Sequence, residues 1–321
     1  MKVLIGGNPM GLEELLPPTG VRFPDVTFLY EPDGGKLVEA IADADIYVGW
    51  IGEEVFEAAR QLKWIQSPSS GTNYYLQIKS LVESDVLLTS ARGTHAACVA
   101  DSALAMILSF TRGVRDCVMA QPNRDWGVAK AVRPKLVELT GSTMGIVGIG
   151  AIGKAIAKRA KAFGMRVVAV DAFTIQGGPD VDAVWPLENL GDLMCDSDYV
   201  VVTLPWTPGT DGLIDAGMIR KMKPTAMMVG VSRGGIIDQD ALGQALRENR
   251  IACAALDVFA PEPLPPESDL WDLNNLLITP HIAGGTQLEG QYIAEIFGEN
   301  LGKIVRGERP LRNEVDKSRG F

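Results

Sequence analysis

The run TMGIVGIGAIGKAIAKRAKAFGMRVVAVD, residues 143–171, constrains the fold more than any other feature of the chain. A β-branched stretch, three glycines at GxGxxG spacing and an amphipathic segment follow one another directly, which demands a strand, a tight turn and a helix in that order. Gly148 permits the turn, Gly150 lets a phosphate approach the backbone, and Gly153 lets helix and strand pack closely. Ile152, Ile156, Ala160 and Phe163 fall on one helical face, Gly164 is placed to stop the helix, and a second strand ends in Asp171. Two strands joined in this way lie parallel in one sheet.

The ligand that fits such a turn is a dinucleotide. Its pyrophosphate would meet the amides of Ala151 and Ile152 at the helix start, where the macrodipole favours negative charge. Asp171, eighteen residues after Gly153, is placed to accept hydrogen bonds from the adenosine ribose and to repel a 2′-phosphate. The AFTIQ that follows has no arginine to attract one, so NAD is expected rather than NADP.

The rest of the chain repeats the alternation. Short apolar runs at 3–5, 26–30, 46–48, 62–66 and 86–89 are separated by helical stretches near 35–42, 53–60 and 74–83. A long helix is expected over 96–112, followed by a polar segment with proline and tryptophan over 121–134. A second series of strands is expected at 144–147, 166–170, 199–204, 226–231, 252–258 and 276–279. The expected fold is α/β, with two Rossmann-like domains of parallel sheet. A last helix from about Leu288 carries Ile293, Ile296, Phe297, Leu301 and Ile304 at helical spacing and is expected to pack back on the first domain. Residues 1–95 and 288–321 would then form a discontinuous, flavodoxin-like substrate domain, with residues 96–287 inserted as the NAD-binding domain.

With 321 residues and 46% hydrophobic composition, the chain can build two cores. Its net charge of −10 argues against a nucleic acid or an anionic membrane as partner. Cys98, Cys117, Cys195 and Cys253 have neither metal-ligand nor CxxC spacing, and are expected to be buried thiols in a reducing compartment. The start MKVLIGGNP is too short an apolar run for a signal or a span. A cytoplasmic location and no metal are expected.

Ligands of open α/β sheets bind beyond the carboxyl ends of the strands. Leu204, Pro205 and Thr210 of LPWTPGT lie at one such end and would border the nicotinamide. Arg233 follows another in VSRGG, Asp257 and Glu262 follow a third in LDVFAPEP, and His281 follows a fourth in ITPHIAG. Reduction of a 2-keto acid needs a cation for the carboxylate and ketone oxygen, a proton donor, and a partner that keeps the donor charged. Arg233, His281 and Glu262 are the right types for those three tasks. Taken singly, each has a plainer reading: a surface turn for Arg233, a solvated loop charge for Glu262. His281 is harder to dismiss, because the chain has 2 histidines and this one stands in a Pro- and Gly-flanked loop.

Taken together, SPSSGT, TSARGTHA, GIVGIGAIG, VVTLPWTPGT, VSRGG, ALDVFAPEP, ITPHIAGG and NEVDKSRGF closely resemble the D-isomer-specific 2-hydroxyacid dehydrogenase family, which includes glyoxylate, hydroxypyruvate and phosphoglycerate dehydrogenases. The resemblance implies hydride transfer between NAD(H) and a small D-2-hydroxy acid or its 2-keto acid. It implies that Arg233 binds carboxylate and carbonyl, and that Glu262 pairs with His281, the acid/base. Val231, Ser232, Arg233, Asp257, His281 and Gly284 would border the cofactor, and Ser70, Gly71 and Thr72 would offer amides to the substrate carboxylate. A homodimer, with the long helix and the Trp126 region as its arm, is implied too.

Formate dehydrogenases resemble the chain less, placing glutamine where Glu262 stands, and phosphite dehydrogenase carries a lysine where this chain has Ser70. A corepressor on the same scaffold would retain the three catalytic residues, but this chain lacks long flanking interaction segments. Two departures from the family stand out. SSGTNYY replaces a run of small residues, so Tyr74 and Tyr75 either reshape the pocket or pack the following helix. VADSAL, at residues 99–104, lacks a histidine common at that place. His95 reads as a substrate contact or, more readily, as a hinge or capping residue, and Trp50 as either a cleft or a core residue.

Overall fold

The computed structural model describes residues 1–8, 10–173 and 177–318. Five parallel strands, β1 (Lys2–Gly6), β2 (Thr27–Glu31), β3 (Ile46–Val48), β4 (Trp64–Gln66) and β5 (Leu87–Thr89), pair in the order β2-β1-β3-β4-β5. This is the order of a flavodoxin-like sheet. Period-two alternation sorts its side chains: Leu4, Tyr47, Ile65 and Leu88 join one core layer, and Val3, Ile5, Ile46, Val48 and Trp64 join the other. The second layer is closed by the C-terminal helix Glu289–Arg306, which buries Ile293, Phe297 and Leu301 there. Phe297 stacks on Trp64 at 5.1 Å. Met1–His95 and Thr286–Phe321 therefore form one compact unit, and Ala96–Gly285 forms the other. Ahead of this helix Thr286 forms a turn, its Oγ1 accepting from Leu288 N–H and its carbonyl from Glu289 N–H.

The second unit holds seven parallel strands: β6 (Thr143–Val147), β7 (Arg166–Asp171), β8 (Ala183–Pro186), β9 (Tyr199–Val202), β10 (Met227–Gly230), β11 (Cys253–Leu256) and β12 (Leu276–Ile278). They pair in the order β12-β11-β10-β9-β6-β7-β8. The chain runs outward from β6 to β8, then returns to β9 on the other side of β6. The ligand crevice of a doubly wound sheet opens at this reversal. The helices Ala96–Thr111 and Ala151–Ala162 pack on one face through Ala103, Ile107, Ile156 and Ala160. The helices Leu190–Asp196, Ala216–Lys221 and Gln239–Arg247 cover the other through Leu193, Ile219 and Leu242.

The structure departs from the sequence reading at several points. β8 was not expected: AVWP is a half-buried edge strand, held at its start by Asp182, whose Oδ2 accepts from Val167 N–H at 2.7 Å. The helix expected over 74–83 is two short ones, Asn73–Leu76 and Lys79–Glu83, separated where Ile78 turns into the core. Residues 121–134 contain the helix Val128–Val132 and short 3₁₀ turns. Phe163 is exposed, because it sits past the last turn as the C-cap, with Gly164 at φ 72° behind it. Among the described residues the cysteines form no disulfide, and they are not buried: Cys117 and Cys195 are exposed on outward helix faces, and Cys98 and Cys253 are half-buried. Among the described residues no single helix is long and apolar enough to cross a membrane, and no group of three potential metal ligands is found.

Candidate active site

The carboxyl ends of β6, β9, β10, β11 and β12 carry every expected site residue of the second unit except Asp171, which ends β7. At β6 the three glycines divide the work in the expected way. Gly148 has φ 97°, and a Cβ there would meet Leu204. A Cβ on Gly153 would lie 2.3 Å from the Gly148 carbonyl oxygen, so glycine is required for the helix to reach the strand. Around Gly150 a Cβ would meet nothing within 4 Å, which is the open approach a pyrophosphate needs. The amides of Ala151 and Ile152 belong to the first turn of a twelve-residue helix, where no intrahelical acceptor exists. These observations fit a dinucleotide.

Asp171 is buried at the end of β7. Its Oδ2 accepts from Ile149 N–H, inside the glycine turn, at 2.9 Å, and its Oδ1 accepts from Phe173 N–H at 3.0 Å. The carboxylate is thus oriented by the loop it serves, and each oxygen keeps a lone pair for a ribose hydroxyl. Of the AFTIQ segment that bears on the 2′-phosphate, residues 174–176 lie outside the described residues, as do 319–321 of the C-terminal motif.

After β9, Leu204 is buried against the glycine turn, and Pro205 opens a loop that Thr210 closes. The Thr210 hydroxyl donates to Pro205 O at 2.8 Å and accepts from Thr207 N–H at 2.8 Å. After β10, Val231 and Ser232 are buried and Arg233 is half-buried. The Arg233 Nη1 donates to Ser232 O at 2.7 Å, and among the described residues no carboxylate forms an ion pair with it. Burial lowers the Arg233 pKa from its ordinary value, and the Glu262 carboxylate opposes that shift. Arginine nevertheless stays protonated, so the turn holds a fixed positive charge suited to an anion.

Glu262 and His281 meet. Glu262 Oε2 lies 2.8 Å from His281 Nδ1, while Oε1 accepts from Phe259 N–H at 2.8 Å. The second bond fixes the carboxylate, and the first fixes the ring, leaving Nε2 to exchange a proton. His281 has φ 53°, a left-handed conformation that costs a side-chain-bearing residue about 1–2 kcal/mol. Asp257 holds it there. The Asp257 carbonyl accepts from His281 N–H at 2.8 Å, and its buried carboxylate accepts from the Thr279 hydroxyl, from Ile282 N–H at 3.0 Å and from Ala283 N–H at 2.9 Å. Further along, the Gly284 carbonyl accepts from Cys98 Sγ at 3.2 Å and the Ala283 carbonyl from Ser102 Oγ at 3.4 Å. Sequence reasoning missed Thr279, Cys98 and Ser102. Of these, only Thr279, between a strand and the proline before the histidine, had a local signal.

The turn bearing Arg233 and the loop bearing Glu262 are in close contact. A Cβ on Gly234 would fall 1.8 Å from the Phe259 carbonyl oxygen, so no other residue allows this approach.

In the first unit, Ser70 and Gly71 are half-buried and Thr72 is buried, in the loop after β4. Ser70 Oγ lies 2.6 Å from His95 Nδ1. Tyr75 packs, fully buried, with its hydroxyl donating to Gly49 O at 2.8 Å, whereas Tyr74 is exposed. Trp50 is 38% exposed, which removes the core reading.

Residues 104–283 match the model of the D-isomer specific 2-hydroxyacid dehydrogenase NAD-binding domain. The chain is 35% identical over 299 residues to a glyoxylate reductase of Korarchaeum cryptofilum, covering 90% of this chain and 89% of that protein. It is 32% identical over 277 residues to a D-3-phosphoglycerate dehydrogenase of Methanocaldococcus jannaschii, covering 85% of this chain but 52% of that longer protein. The crystal structure of a D-isomer specific 2-hydroxyacid dehydrogenase family protein from Aeromonas salmonicida superposes with a TM-score of 0.85 at 28% identity, covering 98% of this chain and 99% of that one. The chain belongs to the D-isomer specific 2-hydroxyacid dehydrogenase family. It is an oxidoreductase that moves a hydride between a nicotinamide cofactor and a 2-hydroxy or 2-keto acid.

Proposed function

We propose that the chain reduces a small 2-keto acid of the glyoxylate class with NADH, forming the D-2-hydroxy acid where carbon 2 becomes chiral. The observation that carries this reading is the Glu262–His281 pair, at 2.8 Å on one rim with the half-buried Arg233, which has no ion-pair partner among the described residues. Arg233 binds the substrate carboxylate and the carbonyl oxygen through its two-pronged guanidinium. His281 gives its Nε2 proton to that oxygen as negative charge develops there, and Glu262, 2.8 Å from Nδ1, orients the ring and faces it with the opposite charge. When bound, the nicotinamide supplies the hydride. The turn at Gly148, Gly150 and Gly153, with the Ala151 and Ile152 amides, holds the pyrophosphate, and Asp171 takes the ribose and disfavours a 2′-phosphate. The Leu204, Pro205 and Thr210 loop borders the nicotinamide, together with Val231, Ser232, Asp257 and Gly284. Ser70, Gly71 and Thr72 offer backbone amides to the substrate carboxylate. Similarity to glyoxylate reductases along most of the chain supports the small acid.

The same reading makes the protein a cytoplasmic homodimer. Four cysteines that form no disulfide among the described residues suit a reducing compartment. Val118, Met119 and Trp126, the last 93% exposed, give the segment after the long helix an apolar surface suited to a second copy.

The test is oxidation of NADH and NADPH against glyoxylate, hydroxypyruvate, pyruvate, phenylpyruvate and branched 2-keto acids, with mass measured by light scattering. Turnover fastest with bulky acids, or with NADPH, would overturn the respective half of the reading.

A further inference from the structure

The second histidine of the chain also sits against a carboxylate, and the loop proposed to receive the substrate hangs from it. His95 Nε2 lies 2.9 Å from Glu289 Oε1, and Nδ1 lies 2.6 Å from Ser70 Oγ and 3.1 Å from Thr94 Oγ1. The pair is sheltered, with the two side chains 15% and 25% exposed.

The two ends of this chain of contacts differ in rigidity. Glu289 opens the eighteen-residue helix that buries Ile293, Phe297 and Leu301 in the core, so it stands on a fixed element. Ser70 lies in a loop held by one backbone bond, Ala91 N–H to Ser69 O at 2.9 Å, and by small hydroxyl bonds: Ser69 N–H to Ser67 Oγ at 3.0 Å, Gly71 N–H to Ser69 Oγ at 3.2 Å, and Ser70 Oγ to Ala91 O at 3.0 Å. His95 is also the last residue of its unit before the chain leaves for Ala96, and Glu289 follows closely on the return at Thr286. The ring therefore joins the loop, the exit and the re-entry of the chain.

We propose that His95 is a positioning residue: by bridging Ser70 to Glu289 it holds Ser70, Gly71 and Thr72 in the conformation that presents their amides to the substrate carboxylate. This rests on the reading that the loop binds that carboxylate.

Counting protons shows why a histidine suits the place. In the neutral ring Nε2–H donates to Glu289, Nδ1 accepts the Ser70 hydroxyl proton, and the Thr94 hydroxyl serves Ala91 O at 2.7 Å. In the charged ring Nδ1–H donates to Ser70 Oγ, and the Ser70 proton turns to Ala91 O. The bridge is satisfied in both states.

Two substitutions separate the roles of the two nitrogens. His95→Asn sets an acceptor oxygen near the position of Nδ1, whereas His95→Gln reaches toward Glu289 and leaves Ser70 without its partner. His95→Gln should raise the keto-acid KM roughly tenfold, the scale of one lost buried hydrogen bond. It should leave kcat and the Kd for NADH near wild type, and it should speed amide hydrogen exchange across residues 67–76. His95→Asn keeps the partner of Ser70 but lets go of Glu289, so it should raise both as His95→Gln does, and recovery there would overturn the bridge to Glu289. Ser70→Ala cuts the bridge at its other end and should raise exchange and KM as His95→Gln does, with the double variant no worse than either. Gly71→Pro, which deletes a loop amide, checks the underlying reading and should raise the keto-acid KM by itself.

Unchanged exchange in both His95→Gln and Ser70→Ala overturns the bridge. Faster exchange with an unmoved KM, while Gly71→Pro does raise it, shows a loop that binds substrate without needing His95, and overturns the positioning role. If Gly71→Pro leaves the keto-acid KM unmoved, the reading of the loop falls and this proposal with it.

Discussion

Gln239 brackets the backbone of Ala260: its Nε2 donates to Ala260 O at 2.7 Å, and its Oε1 accepts from Ala260 N–H at 3.1 Å. Gln239 is the first residue of the helix Gln239–Arg247, whose start is fixed by Asp238 accepting from Ala241 N–H at 2.9 Å. Ala260 stands between Phe259, whose amide orients Glu262, and Glu262 itself. The clamp thus ties the loop bearing the carboxylate that orients His281 to a helix N-terminus.

Gln239→Leu removes both bonds while keeping the bulk. It should lower kcat/KM for the keto acid by roughly tenfold, since two modest hydrogen bonds are lost away from the reacting atoms. The pH profile is the discriminating readout. A loosened Glu262 should displace the alkaline limb of reduction in the same direction as removal of the Glu262 charge, by a smaller amount. A rate loss equal at every pH would make Gln239 a stabiliser of the fold alone.

Arg233→Lys should not be conservative. In the proposed function the half-buried guanidinium presents two parallel donors to a carboxylate and its neighbouring carbonyl, which an ammonium cannot do from one point. The expected loss is about 10²–10³ in kcat/KM, the range for one donor that serves a developing oxyanion. Kd for NADH should stay within a few-fold of wild type. Steady-state kinetics and fluorescence titration together separate the two, and near-normal turnover would remove Arg233 from the site.

Asp171 is held by Ile149 and Phe173 amides at 2.9 and 3.0 Å, so its replacement acts on the glycine turn as well as on the ribose. Asp171→Ala should raise the KM for NADH and narrow the gap to NADPH, because the repulsion of a 2′-phosphate goes with the carboxylate. If the wild-type enzyme already favours NADPH, this assignment is wrong.

The unexpected edge strand makes a prediction about pH and stability. The Val167 amide, and then Lys161, hold the Asp182 carboxyl below its ordinary value. A depressed carboxylate contributes stability that is complete above the unfolded-state value and is lost as pH falls through the folded one. The group is largely exposed, so Asp182→Asn should cost only roughly 0.5–1 kcal/mol at pH 7. The gap to wild type should close as pH drops below about 4. Urea unfolding at pH 7, 5 and 3 would show it, and a gap constant with pH would rule out the charge as its source.

What could be read from the sequence was what local backbone chemistry demands. Gly148 and Gly153 have no plausible substitutes at a turn with φ 97° and a 2.3 Å conflict, and Gly150 leaves the approach between them open, so their spacing announced the turn. The β-branched runs announced most strands, because a strand buried on both faces must be apolar throughout. β8 escaped because AVWP is short, half-buried and on an edge, with no alternation to mark it. Contacts between distant residues left no trace. Gln239 and Ala260 are twenty-one residues apart and His95 and Glu289 one hundred and ninety-four, and each residue type is ordinary where it stands. Glu262 and His281 were legible as types at strand ends, while the turn of the ring toward the carboxylate depends on Asp257 holding His281 at φ 53°.

That pairing yields the sharpest test of the proposed chemistry. Glu262→Gln keeps the shape of the side chain and removes its charge, so the bond to Phe259 N–H survives and the electrostatic hold on the protonated ring does not. Reduction needs His281 charged, since it must donate a proton to the carbonyl oxygen. A neutral amide 2.8 Å from Nδ1 supports the imidazolium less than a carboxylate does. The alkaline limb of kcat/KM for keto-acid reduction should therefore move to lower pH. Oxidation of the hydroxy acid needs the neutral ring, so its acid limb should move the same way and activity at low pH should be better retained. A purely structural role for Glu262 would lower both profiles without shifting either. Profiles of wild type and variant in both directions, with a solvent or substrate isotope effect establishing that chemistry limits the rate, decide between the two. An alkaline limb that stays in place under that condition would mean that Glu262 does not govern the proton on His281.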